Sequence, residues 1–321
     1  MRSTYFRKSF ALMLSTLLLI VLAACGNNKE TNGESKKESG KQITIEHAMG
    51  KTKVPEKAKK VVILTNEGTE ALLALGIKPA GAVKSFTGDP WYDHIKDKMD
   101  GVEVVGLESE INMEAIAAIK PDLIIGNKMR QEKQYDQLSE IAPTVFAETL
   151  RGDWQENFKL YAKAVNKEEK GQQVLDDYNK HVQEVKDAVG DNIQKKISMV
   201  RFMPGDVRIY HKDTFSGVIL DQVGFARAPG QDVNDFAERN LTKERMSAMD
   251  GDVMFYFTYD EGNGEGNKLE EEWTADPLFK NLSVSKNGNV KKVNDAIWNT
   301  AGGILAANIM LDELKAYFVK Q

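Results

Sequence analysis

From Lys167 to Asn192 the apolar residues Val174, Leu175, Tyr178, Val182, Val185 and Val189 recur at spacings of one, three, four, three and four. Lys, Glu, Gln and Asp fill the rest of the turn. This is the single apolar stripe of a helix lying on a surface. At about 1.5 Å per residue the helix is roughly 35 Å long, more than a small domain needs, so it predicts a rod joining two bodies.

The flanking sequence repeats across that rod. Glu114-Ala-Ile-Ala-Ala-Ile-Lys-Pro-Asp122-Leu-Ile-Ile125 and Glu244-Arg-Met-Ser-Ala-Met-Asp-Gly-Asp252-Val-Met-Phe255 match class for class without a gap, 130 positions apart. Each reads as a short helix, a Pro or Gly turn, an Asp and a buried strand. A looser pair, Ala71-Leu-Leu-Ala-Leu-Gly76 and Ile219-Leu-Asp-Gln-Val-Gly224, keeps the same order. The expected fold class is α/β, with two Rossmann-like lobes joined by one long rigid helix. The expected divisions are 43–166 for the first lobe, 167–192 for the helix and 193–321 for the second lobe.

In chain order, Ile43–Val54 predicts a hairpin turning at Gly50, and Lys60–Leu64 a buried strand. Thr65-Asn66-Glu67-Gly68 opens a helix ending at Leu75-Gly76. Strands follow at 79–83, 102–105, 123–126 and 144–146, with helices at 135–141 and 155–165. In the second lobe Lys196–Val200 predicts a strand, 201–208 a loop, 215–223 a helix, 253–256 a strand and 260–267 a Gly-rich loop. Val290–Val293 is the last strand and 303–319 a closing helix. The alternation predicts mainly parallel sheets in both lobes.

The first residues belong to neither lobe. Arg2, Arg7 and Lys8 precede an apolar run from Phe10 to Leu22, then Leu22-Ala-Ala-Cys25-Gly. That is a secretory signal at 1–24, too short for a stable membrane span. Leu-Ala-Ala-Cys resembles the bacterial lipobox, which implies cleavage before Cys25 and lipid on that residue. Cys25 is the one cysteine in the chain, so no intramolecular disulfide is possible. Residues 25–42 carry no large apolar side chain before Ile43 and predict a disordered tether.

With 41% hydrophobic residues, 321 residues can bury two modest cores. Removing 1–24 takes away three positive and no negative charges, so the mature net charge moves from −5 to −8. That disfavours nucleic-acid binding as a global role. No Gly-x-Ser-x-Gly elbow, His-Glu-x-x-His pair or phosphate loop occurs. His47, His94, His181 and His211 are scattered, which argues against a direct metal site. Glu261-x-Asn263-x-Glu265-Gly266 only caricatures a calcium loop, because its first position is not Asp.

In open α/β sheets, ligands bind beyond the carboxyl ends of the strands. That rule collects Lys84, Arg130, Arg151 and Trp154 from the first lobe. From the second it collects Arg201, Arg208, Tyr210, Tyr259, Trp273 and Trp298. Arg130, Arg151, Arg201 and Arg208 are four of the seven arginines of the mature chain. Arginine is fixed in charge and bidentate, which suits ligand carboxylates, and aromatics beside it suit a conjugated ligand body.

These features resemble one family, the lipid-anchored ferric-siderophore-binding proteins of Gram-positive ABC importers. The matching residues are Leu22–Cys25, Lys60–Leu64, Leu72–Pro79, Asn112–Glu114 with Ile119–Ile125, the long helix, and Glu244, and they span nearly the whole mature chain. The resemblance implies a shallow cleft, small closure, and a monomer anchored on the outer face of the cell membrane. A ferric siderophore is implied as ligand, with no intrinsic cofactor and no catalysis, and a permease with its ATPase as partners. Arg and Lys in the candidate pocket point to the branch taking citrate-hydroxamate or carboxylate siderophores. Haem or cobalamin binding on the same fold, and a lipid-anchored α/β hydrolase, are the alternatives. Glu114 and Glu244 open their helices, where a carboxylate favours the helix dipole. The resemblance adds a second role, one glutamate per lobe docking on arginines of a dimeric permease.

Overall fold

The computed structural model describes residues 41–150 and 152–319. Cys25 and Arg151 lie outside the described residues. A hairpin of β1 (Gln42–His47) and β2 (Gly50–Pro55) comes first, with Ile43 opposite Val54. Five parallel strands then form one sheet in the order β5-β4-β3-β6-β7, where β3 is Val61–Ile63, β4 Gly81–Lys84, β5 Glu103–Leu107, β6 Leu123–Asn127 and β7 Thr144–Ala147. The second sheet runs β10-β9-β8-β11-β12, with β8 at Ile197–Met203, β9 at Asp206–Tyr210, β10 at Ala237–Glu238, β11 at Val253–Thr258 and β12 at Val290–Lys292.

The second sheet departs from expectation at one edge. β8, β11 and β12 are parallel, but β9 is antiparallel to β8 and β10 to β9. The reason is local. Residues 201–208 are not a loop: Arg201 lies in β8 and Arg208 in β9, opposite one another, joined by a turn at Pro204-Gly205. Two strands linked so tightly can only run antiparallel.

The repeat holds in three dimensions. Asp122 Oδ2 accepts the backbone N–H groups of Lys59 and Lys60 at 2.8 and 2.9 Å, at the entrance to β3. Asp252 Oδ2 accepts that of Lys196 at 2.8 Å, at the entrance to β8. Each aspartate thereby sets the register between its lobe's central strands, β3 with β6 and β8 with β11. The helix opening read at Thr65 has a counterpart, Thr214, that escaped the sequence reading. The Thr65 hydroxyl accepts from Gly68 N to cap the helix Asn66–Ala74, and Thr214 caps Phe215–Val223 through Gly217 N, both at 3.0 Å. Gly217 is forced, since a Cβ would come within 2.2 Å of the His211 carbonyl oxygen, whereas at Gly68 it would meet the tip of the Ile63 side chain at 2.3 Å.

The long helix is Glu168–Val189, 22 residues. Leu175, Tyr178, Val185 and Val189 are buried, with Val174 and Val182 packed against the same core. Tyr178 is met edge-on by Trp154 from the helix Trp154–Ala164, and its hydroxyl donates to Gln222 Oε1 at 2.6 Å. His181 holds Asn308 and Asp312 of the closing helix Ile304–Val319. One buried cluster therefore runs from Val61 and Ile63 of β3, through the long helix, to Ile197 of β8 and Phe255 of β11. The opposite faces of the strands feed two outer clusters, Val62 and Ile124 in one and Val200 and Met254 in the other. Fully buried strands sort their side chains by period two between those layers. No helix among the described residues is long and apolar enough to cross a membrane.

Candidate ligand cleft

Parallel strands aim their carboxyl ends at one edge of a sheet, and at that edge the two sheets share a cavity of about 290 Å³. Arg130, Arg201, Arg208, Tyr210 and Tyr259 line it, five of the ten residues expected there. Arg130 comes from the short helix after β6, whose start is capped by Asn127 Oδ1 on Met129 N. Arg201, Arg208 and Tyr210 come from the β8–β9 hairpin, and Tyr259 follows β11. Phe86, at the end of β4, meets Tyr259 edge-on with centroids 6.5 Å apart, so one aromatic contact closes the wall between the sheets.

Each arginine arrives with an acid. Arg130 Nε donates to Glu108 Oε1 at 3.1 Å, and Arg208 Nε to Asp206 Oδ2 at 2.5 Å. Neither guanidinium makes another hydrogen bond to the protein among the described residues. Arg201 differs. Its Nε and Nη2 donate to Asp295 at 2.7 and 3.2 Å, its Nη1 to the Tyr210 hydroxyl at 3.0 Å, and its plane lies 5.0 Å from the Tyr259 ring. Burial opposes its charge, but Tyr210 and Asp295 outweigh burial and hold the guanidinium above its ordinary pKa. Arg201 is a buried organiser of the cleft, with three of its five N–H donors held by Asp295 and Tyr210, where the sequence reading gave it the same role as Arg208.

The acids were missed because the reading collected only bases and aromatics. Glu108 is buried, and its Oε2 accepts from Asn66 N and Nδ2 at 2.9 and 3.1 Å. Glu67 also lines the cavity. Burial raises its carboxyl well above the usual carboxylate range, the Asn157 and Tyr161 side chains oppose that, and Glu108 and Glu70 add to it. Its Oε1 has no hydrogen-bond partner. The signal was present in Thr65-Asn66-Glu67-Gly68, since a first-turn glutamate beyond a strand points toward the cleft edge.

Four expected residues lie elsewhere. Lys84 does not line the cavity and sits 3.5 Å from Asp89. Trp154 is buried against Tyr178 and Phe215. Trp273 is in the helix Glu265–Ala275 and packs on Phe202. Trp298 packs at a tilt on Phe255, centroids 4.7 Å apart, and its Nε1 donates to Glu313 at 2.6 Å. Trp273 and Trp298 pack on strand residues and Trp154 on residues of two helices, and in each case burying so large a ring outweighs its display to a ligand. No group of three or more His, Cys, Asp or Glu among the described residues could hold a metal. Glu114 and Glu244 are both exposed in the first turns of the helices Met113–Ile119 and Lys243–Met249.

The sequence matches the family model "Periplasmic binding protein" over residues 61–296. It is 52% identical over 317 residues to a probable siderophore-binding lipoprotein of Bacillus subtilis, covering 96% of this chain and 97% of that one. It is 31% identical over 323 residues to an Fe(3+)-citrate-binding protein of the same organism, covering 99% of each. Among solved structures it resembles Staphylococcus aureus SirA complexed with staphyloferrin B, with 34% identity, a TM-score of 0.79, and 86% and 98% of the two chains covered. B. subtilis FeuA complexed with ferri-bacillibactin, at 23% identity and a TM-score of 0.74 over 87% and 99%, shares the fold. With the matched model spanning both sheets and the helix between them, this chain belongs to the periplasmic binding protein family.

Proposed function

We propose that the protein captures an anionic ferric siderophore in the cleft and delivers it to an ABC permease. One observation carries this reading: Arg130 from the first lobe and Arg208 from the second face the same cavity, each with Nε held by a carboxylate and its terminal nitrogens without a hydrogen bond among the described residues. Such preset forks suit carboxylate groups at two ends of a chelate, because little side-chain entropy is lost on binding. The siderophore relatives named above support the iron-chelate class. Citrate-based carboxylate or hydroxamate chelates fit better than neutral ones, since a neutral chelate would leave the forks without charged partners.

In this reading the lobes run 43–166 and 193–321 about the helix 167–192, and Arg151 joins the cleft. The chelate is ligand and cargo, carried without chemical change. Cys25 bears the lipid that keeps the monomer at the outer face of the membrane, and Glu114 and Glu244 dock on the permease, whose ATPase drives uptake. The test is equilibrium titration with ferric citrate, ferric staphyloferrin B and a neutral ferric trihydroxamate, followed by visible absorbance. Tight binding of an anionic chelate, weakened in Arg130→Ala and Arg208→Ala, is expected. Equal or better binding of the neutral chelate would overturn the charge argument.

A further inference from the structure

Glu70 lies on the helix Asn66–Ala74 of the first lobe and is fully buried. Its Oε2 accepts the backbone N–H groups of Leu305 and Ala306, both at 2.9 Å, from a helix more than two hundred residues later in the chain. First-turn amides have no acceptor inside their own helix, and a carboxylate there also faces the positive end of the helix dipole. The closing helix thus takes its cap from the other lobe. Glu70 Oε1 is engaged as well, by His94 Nε2 at 2.5 Å, and the Tyr92 ring stacks on that imidazole at 5.7 Å. The approach needs Gly303, where a Cβ would stand 2.7 Å from the Glu70 Cβ.

The residues just before this cap, Asn299 to Gly302, line the ligand cavity. Thr300 Oγ1 donates to Asp295 Oδ2 at 3.1 Å, and Asp295 holds Arg201. The segment is therefore fixed at one end by Asp295 and at the other by Glu70. We propose that Glu70 and His94 are positioning residues for the ligand cleft: together they brace the 299–302 wall across the two lobes and hold the cleft in its binding geometry. The bracing stands on these contacts alone, whereas its value for the ligand rests on the function proposed above.

Hydrogen–deuterium exchange of the whole chain reads the brace without a ligand. Peptides covering 299–307 should exchange about tenfold faster in Glu70→Ala, while the long helix keeps wild-type protection. Glu70→Gln should stay within about threefold of wild type, because its oxygen can still accept both amides while its nitrogen donates to the other tautomer of His94. His94→Ala, which leaves the cap in place, should raise exchange in the same peptides by about threefold, and it decides the matter where Glu70→Ala does not fold. Unchanged exchange at 299–307, or protection lost evenly over both lobes, overturns the brace. Affinity for ferric staphyloferrin B should fall about tenfold in Glu70→Ala and be rescued in Glu70→Gln. Full affinity with lost protection would overturn the positioning role. No binding of ferric citrate or ferric staphyloferrin B by the wild type would reject the proposed ligand class and leave exchange to judge the brace.

Discussion

Replacing Arg201 by alanine should act on stability more than on ligand contact. The Asp295 carboxylate lies beneath it, 4% exposed, and receives two of its hydrogen bonds from that guanidinium. Removing one partner of a buried pair leaves a charge with no compensation, which costs about 3 to 5 kcal/mol. Thr300 supplies Asp295 one neutral hydrogen bond, too little to replace an ion pair. For a chain of this size, about 2 °C of melting temperature per kcal/mol converts the loss to roughly 6 to 10 °C. Arg130→Ala is the control. Its carboxylate partner Glu108 keeps two donors from Asn66, so melting should move little while binding of an anionic chelate loses about 1.5 to 3 kcal/mol, at least tenfold. The assay is thermal unfolding by circular dichroism beside chelate titration. Pairing Arg201→Met with Asp295→Leu should restore most of the stability, because no buried charge is then left alone. An Arg201→Ala protein that melts within about 2 °C of wild type would refute the assignment of Arg201 as an organiser.

Glu67 carries a pH dependence whose sign follows from its raised carboxyl pKa. The native state keeps a proton that the unfolded chain loses near the ordinary glutamate value of about 4.3, so this group's contribution is full below that pH and is lost as pH rises toward the native value. Glu67→Gln should therefore stabilise the protein at pH 7 and be neutral near pH 4, read by denaturant unfolding at both. Equal effects at both pH values would show that the site is ordinary. The Glu114→Ala, Glu244→Ala double mutant should fold and bind chelate normally yet fail to support uptake and ATPase stimulation in reconstituted membranes, because surface charges of this kind orient a partner without touching the cleft. Normal transport would reduce both to helix caps. Free and loaded protein should give nearly the same small-angle X-ray scattering, since the long helix is bound to helices of both lobes and cannot bend without breaking several contacts at once. A large compaction would reject that rigidity.

Local pattern determined the elements: the stripe from Val174 to Val189, the Thr65 cap, the helix 135–141 and the strand pairs around Asp122 and Asp252 are set by neighbours a few residues apart, and their periods are written in the chain. The internal repeat went further and located two lobes, because each half must bury the same faces. What no local pattern holds is which acid faces which base. Arg201 and Asp295 are 94 residues apart, and Glu70 and Leu305 are 235, so their pairing exists only once the sheets and the closing helix are packed. The antiparallel β9 is a different case: its cause is local, the turn at Pro204-Gly205, and it read as a loop only because Pro, Gly and Asp interrupt the apolar run between Arg201 and Arg208. The tryptophans show the same limit from the other side. Their positions near strand ends were legible, but whether Trp273 and Trp298 face ligand or core depended on the apolar sheet surface waiting beneath them, and burial won.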